Sequence, residues 1–328
     1  MKKFKMFISG LLVFALLIAF VPVDHVDAAS KSVKLIKSLK DLKKVANILS
    51  GNYKLTKDLI IKSKYWTPIG TPEAPFTGTF DGNGYTINAV STKSKNDYQG
   101  LFGCTKDAVI KNLKVSGTVR GRYYVGGIIG HMEGGRIVNC VSKTKVTGVD
   151  QVGGLVGRIA GGIALNCQNE GKVTGTGRCA GGITSDLYPS GTIYNCVNLA
   201  TVKGSNLVGG ISGGSTAGEI ANCVNFGNVI GDYSVGAIAG DNNSYAGARY
   251  HNYFRQTDKI NANYNSIGTG CYTFKTVNSK LSGEVTINNK TYNKLLNALN
   301  AGRNALRKET GEKLREWTGY DERPLLFK

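Results

Sequence analysis

The feature that most constrains this chain is a repeat of 27 to 28 residues that keeps step in three registers. The first runs Gly100-Leu101-Phe102-Gly103, Gly127-Ile128-Ile129-Gly130, Gly154-Leu155-Val156-Gly157, Gly182-Ile183-Thr184-Ser185, Gly210-Ile211-Ser212-Gly213 and Ala237-Ile238-Ala239-Gly240. The second begins at Ile110-Lys111-Asn112 and continues as Asn139-Cys140, Asn166-Cys167, Asn195-Cys196 and Asn222-Cys223, each shortly after an Ile. The third is Val119, Val146, Val173, Val202 and Val229, each followed two residues later by Gly. Each repeat thus holds three short apolar segments, β-branched and bounded by Gly or Asn, which predicts three short strands per repeat. Alternation in Gly171-Lys172-Val173-Thr174-Gly175 turns Val173 inward and its two neighbours outward. In Val152-Gly153-Gly154-Leu155 two apolar residues three apart both face inward only if the double Gly bends the chain.

Stacked units of this kind predict an all-β fold, a single-stranded parallel β-helix, right-handed by the crossover preference. Open solenoid ends need covers. Ser38 to Ser50 places Leu39, Leu42, Val45, Ala46 and Leu49 at helical spacing, and Thr291 to Lys308 does so with Leu295, Leu296, Leu299 and Leu306. Both read as short helical capping segments. Ahead of them, three Lys in Met1 to Lys5, the apolar run Leu11 to Val21 and Val26-Asp27-Ala28 have the form of an export signal. The expected organisation is a signal peptide at 1–28, an amino-terminal cap of helix and first strand at 29–66, a β-helix of about six coils at 67–254, and a carboxy-terminal cap at 255–328. The expected location is secreted or surface-associated, with no transmembrane span, since the apolar run is too short to cross a bilayer.

The repeat Val-Gly-Gly-Leu-Val-Gly, then Gly-x-Ile-x-Asn-Cys, then Gly-x-Val-x-Gly resembles the GLUG repeat of bacterial secreted and surface proteins. That repeat also occurs ahead of the catalytic region of M26-type immunoglobulin A peptidases. The lead-in Trp66-Thr67-Pro68-Ile69-Gly70 and Phe80-Asp81-Gly82-Asn83-Gly84 and the closing segment Leu299 to Trp317 are similar to what flanks such repeats. The resemblance implies a right-handed β-helix on an exported, adhesive or glycan-associated protein and carries no catalytic set.

The residues exclude several chemistries. No His-Glu-x-x-His is present, so the metalloprotease motif is missing, and no Cys-x-x-Cys supports a zinc site. No metal and no cofactor is expected. Asp81-Gly82-Asn83-Gly84 reads as a tight turn rather than a calcium loop because the later acid of an EF-hand is lacking. Cys140, Cys167, Cys196 and Cys223 recur at one repeat position and predict a stacked column of buried thiols, with disulfide bridges as the alternative that neighbours on parallel strands rarely have the geometry to form, and with the preceding Asn residues as an amide ladder. The net charge of +19 is uneven: residues 30–66 carry ten Lys/Arg against two acids, 67–248 fourteen against eleven, and 249–328 fourteen against seven. Basic ends around a neutral middle do not make a nucleic-acid stripe but allow non-specific attraction to anionic polymers.

Function on a solenoid sits where the repeat varies. One variable position precedes the double Gly, as Tyr123 and Tyr124, Asp150, Arg178, Asn206 and Tyr233. Another set, expected to be loops along one edge, comprises His131-Met132-Glu133, Asp186-Leu187-Tyr188-Pro189, Ser215-Thr216 and Asp241 to Tyr245. Tyr offers a flat apolar face and Asp or Asn binds hydroxyls. The candidate ligand-binding residues are therefore Tyr123, Tyr124, Asp150, Arg178, Asp186, Tyr188, Tyr233, Asp241 and Tyr245. The expected function is a non-catalytic, adhesin-like binding protein for a glycan or a host or cell-wall macromolecule. The alternative is a polysaccharide-degrading enzyme using Asp186 and Asp241, which share a register two coils apart, about 10 Å by strand spacing.

Overall fold

In the computed structural model the described residues are 32–92, 95–188, 190–215, 218–240, 249–250, 252–255, 271–274, 280–287 and 290–318. The chain winds as a parallel β-solenoid. One sheet of nine strands runs its length from Val33–Ile36 to Arg249–Tyr250, a second has fourteen strands, and two five-stranded sheets complete the coil. We call these sheets I, II, III and IV.

The third register is a column as expected: Val119, Val146, Val173, Val202 and Val229 pair rung to rung in sheet II and are fully buried. The number of strands per coil is corrected from three to five. One coil contains Asp150–Gly153 in sheet IV, Val156–Ala160 in sheet III, Ile163–Leu165 in sheet I, and Gln168–Asn169 and Val173–Gly175 in sheet II. Both Val152 and Leu155 are buried, so the chain does bend at Gly153-Gly154. The bend splits the first expected strand between two sheets. The last split occurs at Asn169, whose amide closes a turn by accepting from Gly171 N–H and donating to Gly171 C=O.

That turn belongs to a buried ladder absent from the sequence reading. Asn169 donates to Asn198 and Asn198 to Asn225, each at 2.8 Å, and all three are at most 1% exposed. A Cβ on Gly154 would lie 2.5 Å from the Asn169 side-chain carbon Cγ, and one on Gly182 equally close to Asn198. The double Gly and the Asn are thus two halves of one packed column. The expected ladder is present at the corner between sheets I and II: Asn222, Asn195, Asn166, Asn139 and Asn112 donate in turn, ending on Asp81. These five residues have φ of 52–55°, the left-handed region that Asn tolerates best after Gly.

Cys140, Cys167, Cys196 and Cys223 are fully buried free thiols in one column. The Cys167 N–H donates to Cys196 Sγ, the Cys196 N–H to Cys223 Sγ, and the Cys223 N–H to Asn252 Oδ1. Burial pushes the Cys140 and Cys196 thiols well up, away from reactive thiolate.

Helix α1 (Leu39–Lys44) starts at Ser38, whose hydroxyl accepts from Asp41 N–H, and continues as a 3₁₀ turn to Asn47. Leu42 and Val45 enter the same apolar cluster as Phe76 and Phe80, whereas Ala46 is exposed, which narrows the expected stripe. Helix α2 (Leu295–Thr310) stops at Gly311, with φ 72°. Its placement corrects the expectation of an end cover. Leu295, Ala298 and Leu299 pack with Val197, Val224 and Trp317, and Leu306 packs with Leu165, Tyr194 and Ala221. Those coil residues face outward on sheets I and II, so α2 lies along the flank. The segment after it follows the corner ladder, where Asn166 Nδ2 donates to Lys313 C=O, Asn166 Oδ1 accepts from Arg315 N–H and Asn195 donates to Arg315 C=O. Among the described residues no helix is long and apolar enough to cross a membrane.

Val173→Asp puts an uncompensated charge between two neighbouring valines and should cost about 4 kcal/mol or more. Lys172→Asp, on the solvent face, should change stability by less than about 1 kcal/mol. Urea or thermal unfolding of the two variants checks the pair, and equal midpoints would contradict the assigned interior.

Candidate binding site on the outer face

Of the stretches expected as loops, His131 to Glu133, Asp186 to Tyr188 and Ser215 lie in strands of sheet III, while Pro189, Thr216 and Asp241 to Tyr245 lie outside the described residues. Phe102–Lys106, Ile129–Glu133, Val156–Ala160, Thr184–Tyr188 and Ser212–Ser215 pair in parallel. Their alternation turns Met132, Ile159 and Leu187 into the core. It turns a column of Cys104, His131, Arg158, Asp186 and Gly214 the other way, rung by rung. A second outward column holds Lys106, Glu133, Ala160 and Tyr188.

Sheet IV brings its corner beside these columns. Tyr98, Tyr124 and Gln151 occupy the left-handed region with φ of 54–56°. The glycines of sheet III pass close by: a Cβ on Gly157 would lie 2.6 Å from Val125 N and 2.7 Å from the Tyr124 carbonyl carbon. The rings of Tyr98 and Tyr124 stack at 4.8 Å and 5° between planes, and the His131 ring stands edge-on to Tyr124 at 5.4 Å. One rung on, the Arg158 guanidinium lies 4.5 Å from the centre of the Tyr188 ring and 4.0 Å from the Asp186 carboxylate.

Three polar atoms on this face are buried without a hydrogen-bond partner: His131 Nδ1, Gln151 Oε1 and Arg158 Nε. Buried polar atoms are nearly always paired in folded proteins, so three on two adjacent columns mark a surface with unused hydrogen-bonding capacity. Burial, and then the neighbouring Arg158 charge, hold the His131 pKa below its ordinary value, which keeps the ring neutral at pH 7. Burial pushes the Cys104 thiol up to about 12. Burial likewise raises the Tyr98 phenol. The formal charges cancel locally, Lys106 with Glu133 at 2.9 Å and Arg158 with Asp186.

The structure brings Tyr124, Asp186 and Tyr188 of the sequence candidates onto this face. Asp150 sits at the corner of sheet IV, opposite Tyr123, and its Oδ1 accepts the N–H groups of Gln151 and Cys179, which occupies it in holding the coil. Tyr123 is exposed, with the Arg122 guanidinium 4.8 Å from its ring centre, while Arg122 itself is tied to Asp97. Arg178 is an exposed turn residue, and Tyr233 is 67% exposed in another turn. Asp241 and Tyr245 lie outside the described residues. The sequence reading did not select Tyr98, Gln151 or Arg158, and placed His131 only in a variable loop. Register was available for Arg158, which is 27 residues after His131 and 28 before Asp186. Which columns adjoin around the corner was not. Among the described residues no group of three or more His, Cys, Asp or Glu side chains is placed to hold a metal ion.

The model of the GLUG motif family matches residues 121–147, the coil that carries Tyr123, Tyr124 and His131. Among solved structures the chain is similar to one from Bacteroides ovatus, described as a candidate immunoglobulin A1 protease. The TM-score is 0.62 and the identity 20%, with 90% of this chain and 92% of that one covered. At this identity the likeness establishes a shared fold. No curated protein matches the chain.

Because the folded pKa of His131 is depressed, the unfolded chain binds its proton more readily. His131 therefore contributes stability that is complete above the ordinary histidine value of about 6.5 and is lost as pH falls below it toward the folded value. His131→Gln should flatten the decline in thermal midpoint across that acidic window. An unchanged slope would show that His131 is not held neutral.

Proposed function

We propose that this protein is a secreted, non-catalytic binding protein whose sheet III and sheet IV outer face recognises a neutral glycan. The observation that carries the reading is the coincidence of stacked tyrosines with two buried polar atoms that lack a partner, His131 Nδ1 and Gln151 Oε1, on adjoining columns. Sugars present apolar C–H faces and rings of hydroxyls, so aromatic edges and unpaired donors and acceptors are the chemistry that binds them. Local cancellation of charge favours a neutral chain over an acidic one, since an anionic sugar would meet Asp186 and Glu133 as well as Arg158 and Lys106. Rung spacing sets these differing groups in line along the axis, which suits a linear oligosaccharide. The Asp186 carboxylate lies 4.0 Å from the Arg158 guanidinium, within the face's own charge pairing.

A glycan array on the full chain, followed by calorimetric titration of any ligand found, tests the reading. Tyr124→Ala should weaken binding by about tenfold, the equivalent of a lost aromatic contact near 1.4 kcal/mol. Asp186→Asn and Asp241→Asn should each weaken it no more than about threefold, about 0.65 kcal/mol, and chromatography should show no shortened product from the parent. Chain cleavage by the parent that disappears in both Asp variants would overturn the binding reading in favour of the enzyme.

A further inference from the structure

The charge surplus takes a definite form at the amino-terminal end of the solenoid. Between residues 33 and 69 stand Lys34, Lys37, Lys40, Lys43, Lys44, Lys54, Lys57, Lys62 and Lys64, and no Arg. All but Lys54 are exposed. None of the nine forms an ion pair among the described residues, whereas six cations elsewhere do. The two acids of this stretch are occupied by backbone: Asp41 accepts from Lys37 N–H and the Ser38 hydroxyl, and Asp58 accepts from Thr86 N–H. The coils neutralise their own charge and this end does not.

The lysines surround α1. A cleft of about 220 Å³ has Lys34, Lys44 and Asp41 around an apolar floor of Leu35, Ile48 and Tyr53, and one of about 330 Å³ has Lys43 beside Tyr65 and Trp66. We propose that this end is a docking surface for a flexible polyphosphodiester, a chain with one phosphate per repeat and no rigid ring backbone. Lys ammonium groups are compact point charges on mobile stems, suited to a polymer of spaced phosphates, whereas planar, bidentate recognition uses Arg. The charges lie on an edge strand, a helix and a loop, so an occupant must bend around the end, which stiff pyranoside polyuronates do poorly. A lipid surface fits less well, because the exposed apolar residues form no single patch: Leu35 and Ile48 share the first cleft, Tyr65 lines the second, and Ile60 lies on the outer side of sheet II.

The test is fluorescence anisotropy of labelled poly(glycerol phosphate) with the full chain between about 50 and 200 mM salt. Affinity should fall at least about 100-fold across that range, as release of counterions from about five contacts requires. Replacing Lys40, Lys43, Lys62 and Lys64 by Gln should lower the logarithmic salt slope by about three, about 0.7 per contact for a flexible strand. Replacing Lys114, Lys145, Lys172 and Lys203 by Gln removes equal charge from sheet II and should leave slope and affinity within about twofold, about 0.4 kcal/mol. Thermal midpoints of both variants establish that they fold, and Tyr124→Ala, which disables the glycan face, should leave this binding unchanged. Equal losses in the two lysine variants would overturn the proposal in favour of net charge alone. Equal affinity for polygalacturonate, or co-sedimentation with anionic phosphatidylglycerol vesicles at the higher salt that depends on the amino-terminal lysines, would overturn the choice of occupant.

Discussion

Three successive coils of this solenoid are held in register by buried amides that close a turn in their own coil and also bond across rungs. Asn169, Asn198 and Asn225 each bond the backbone two residues on, and Asn169 donates to Asn198 and Asn198 to Asn225. A buried amide left unpaired costs about 1–3 kcal/mol, so a slip of one residue would break the inner ladder and expose the valine and cysteine columns beside it. The hydrophobic columns supply the larger driving force but are tolerant of which rung they meet, since a Val stacks on any Val. The ladders supply the direction and the count. Glycine at 154 and 182 follows from the same constraint, because the Asn needs the space a Cβ would take.

Strict periodicity explains what could be read in advance. The columns of Val173, of Cys167 and of Asn166 are legible because a rung position must repeat wherever the environment repeats. The strand count was not legible, because a close approach between Gly154 and Asn169 links positions fifteen residues apart that no single strand contains. The inner ladder did leave a trace in Cys167-Gln168-Asn169, Cys196-Val197-Asn198 and Cys223-Val224-Asn225. The flank position of α2 left another. Leu165, Tyr194 and Ala221 stand where earlier coils have Lys111 and Val138, and outward apolar residues on consecutive rungs call for something to cover them.

The outer face breaks the rule the interior obeys. Inside, the Asn side chains are bonded to their copies on neighbouring rungs; on sheet III the copies differ, as His131, Arg158 and Asp186. Divergence at a register position removes the ladder partner, and His131 Nδ1 is left without a hydrogen bond there. A solenoid can carry such a site because its stability is spread over neighbouring coils, so three unsatisfied atoms in the middle do not unfold the ends. Tyr124, Asp186 and Tyr188 were found from the sequence as places where the repeat varies. Arg158 and Gln151 were missed because variation alone does not say which corner folds against which strand.

The two surfaces differ in range as well as in chemistry. Unpaired lysines project a field over a Debye length of about 8 Å at physiological salt, and beyond it at lower salt. The neutral face acts only at contact, through rings and hydrogen bonds. Long-range attraction gathers a protein onto a charged polymer without orienting it, whereas contact recognition selects one chain and one register. In the two proposals the first surface lies at the end of the solenoid and the second along its side, and a glycan on sheets III and IV would meet no net charge to draw the polymer across. The neutrality of the coils, with Lys106 matched to Glu133 and Arg158 to Asp186, is therefore as informative as the surplus at the end. Under the two proposals it would confine attachment by charge to one end and leave contact recognition to the flank.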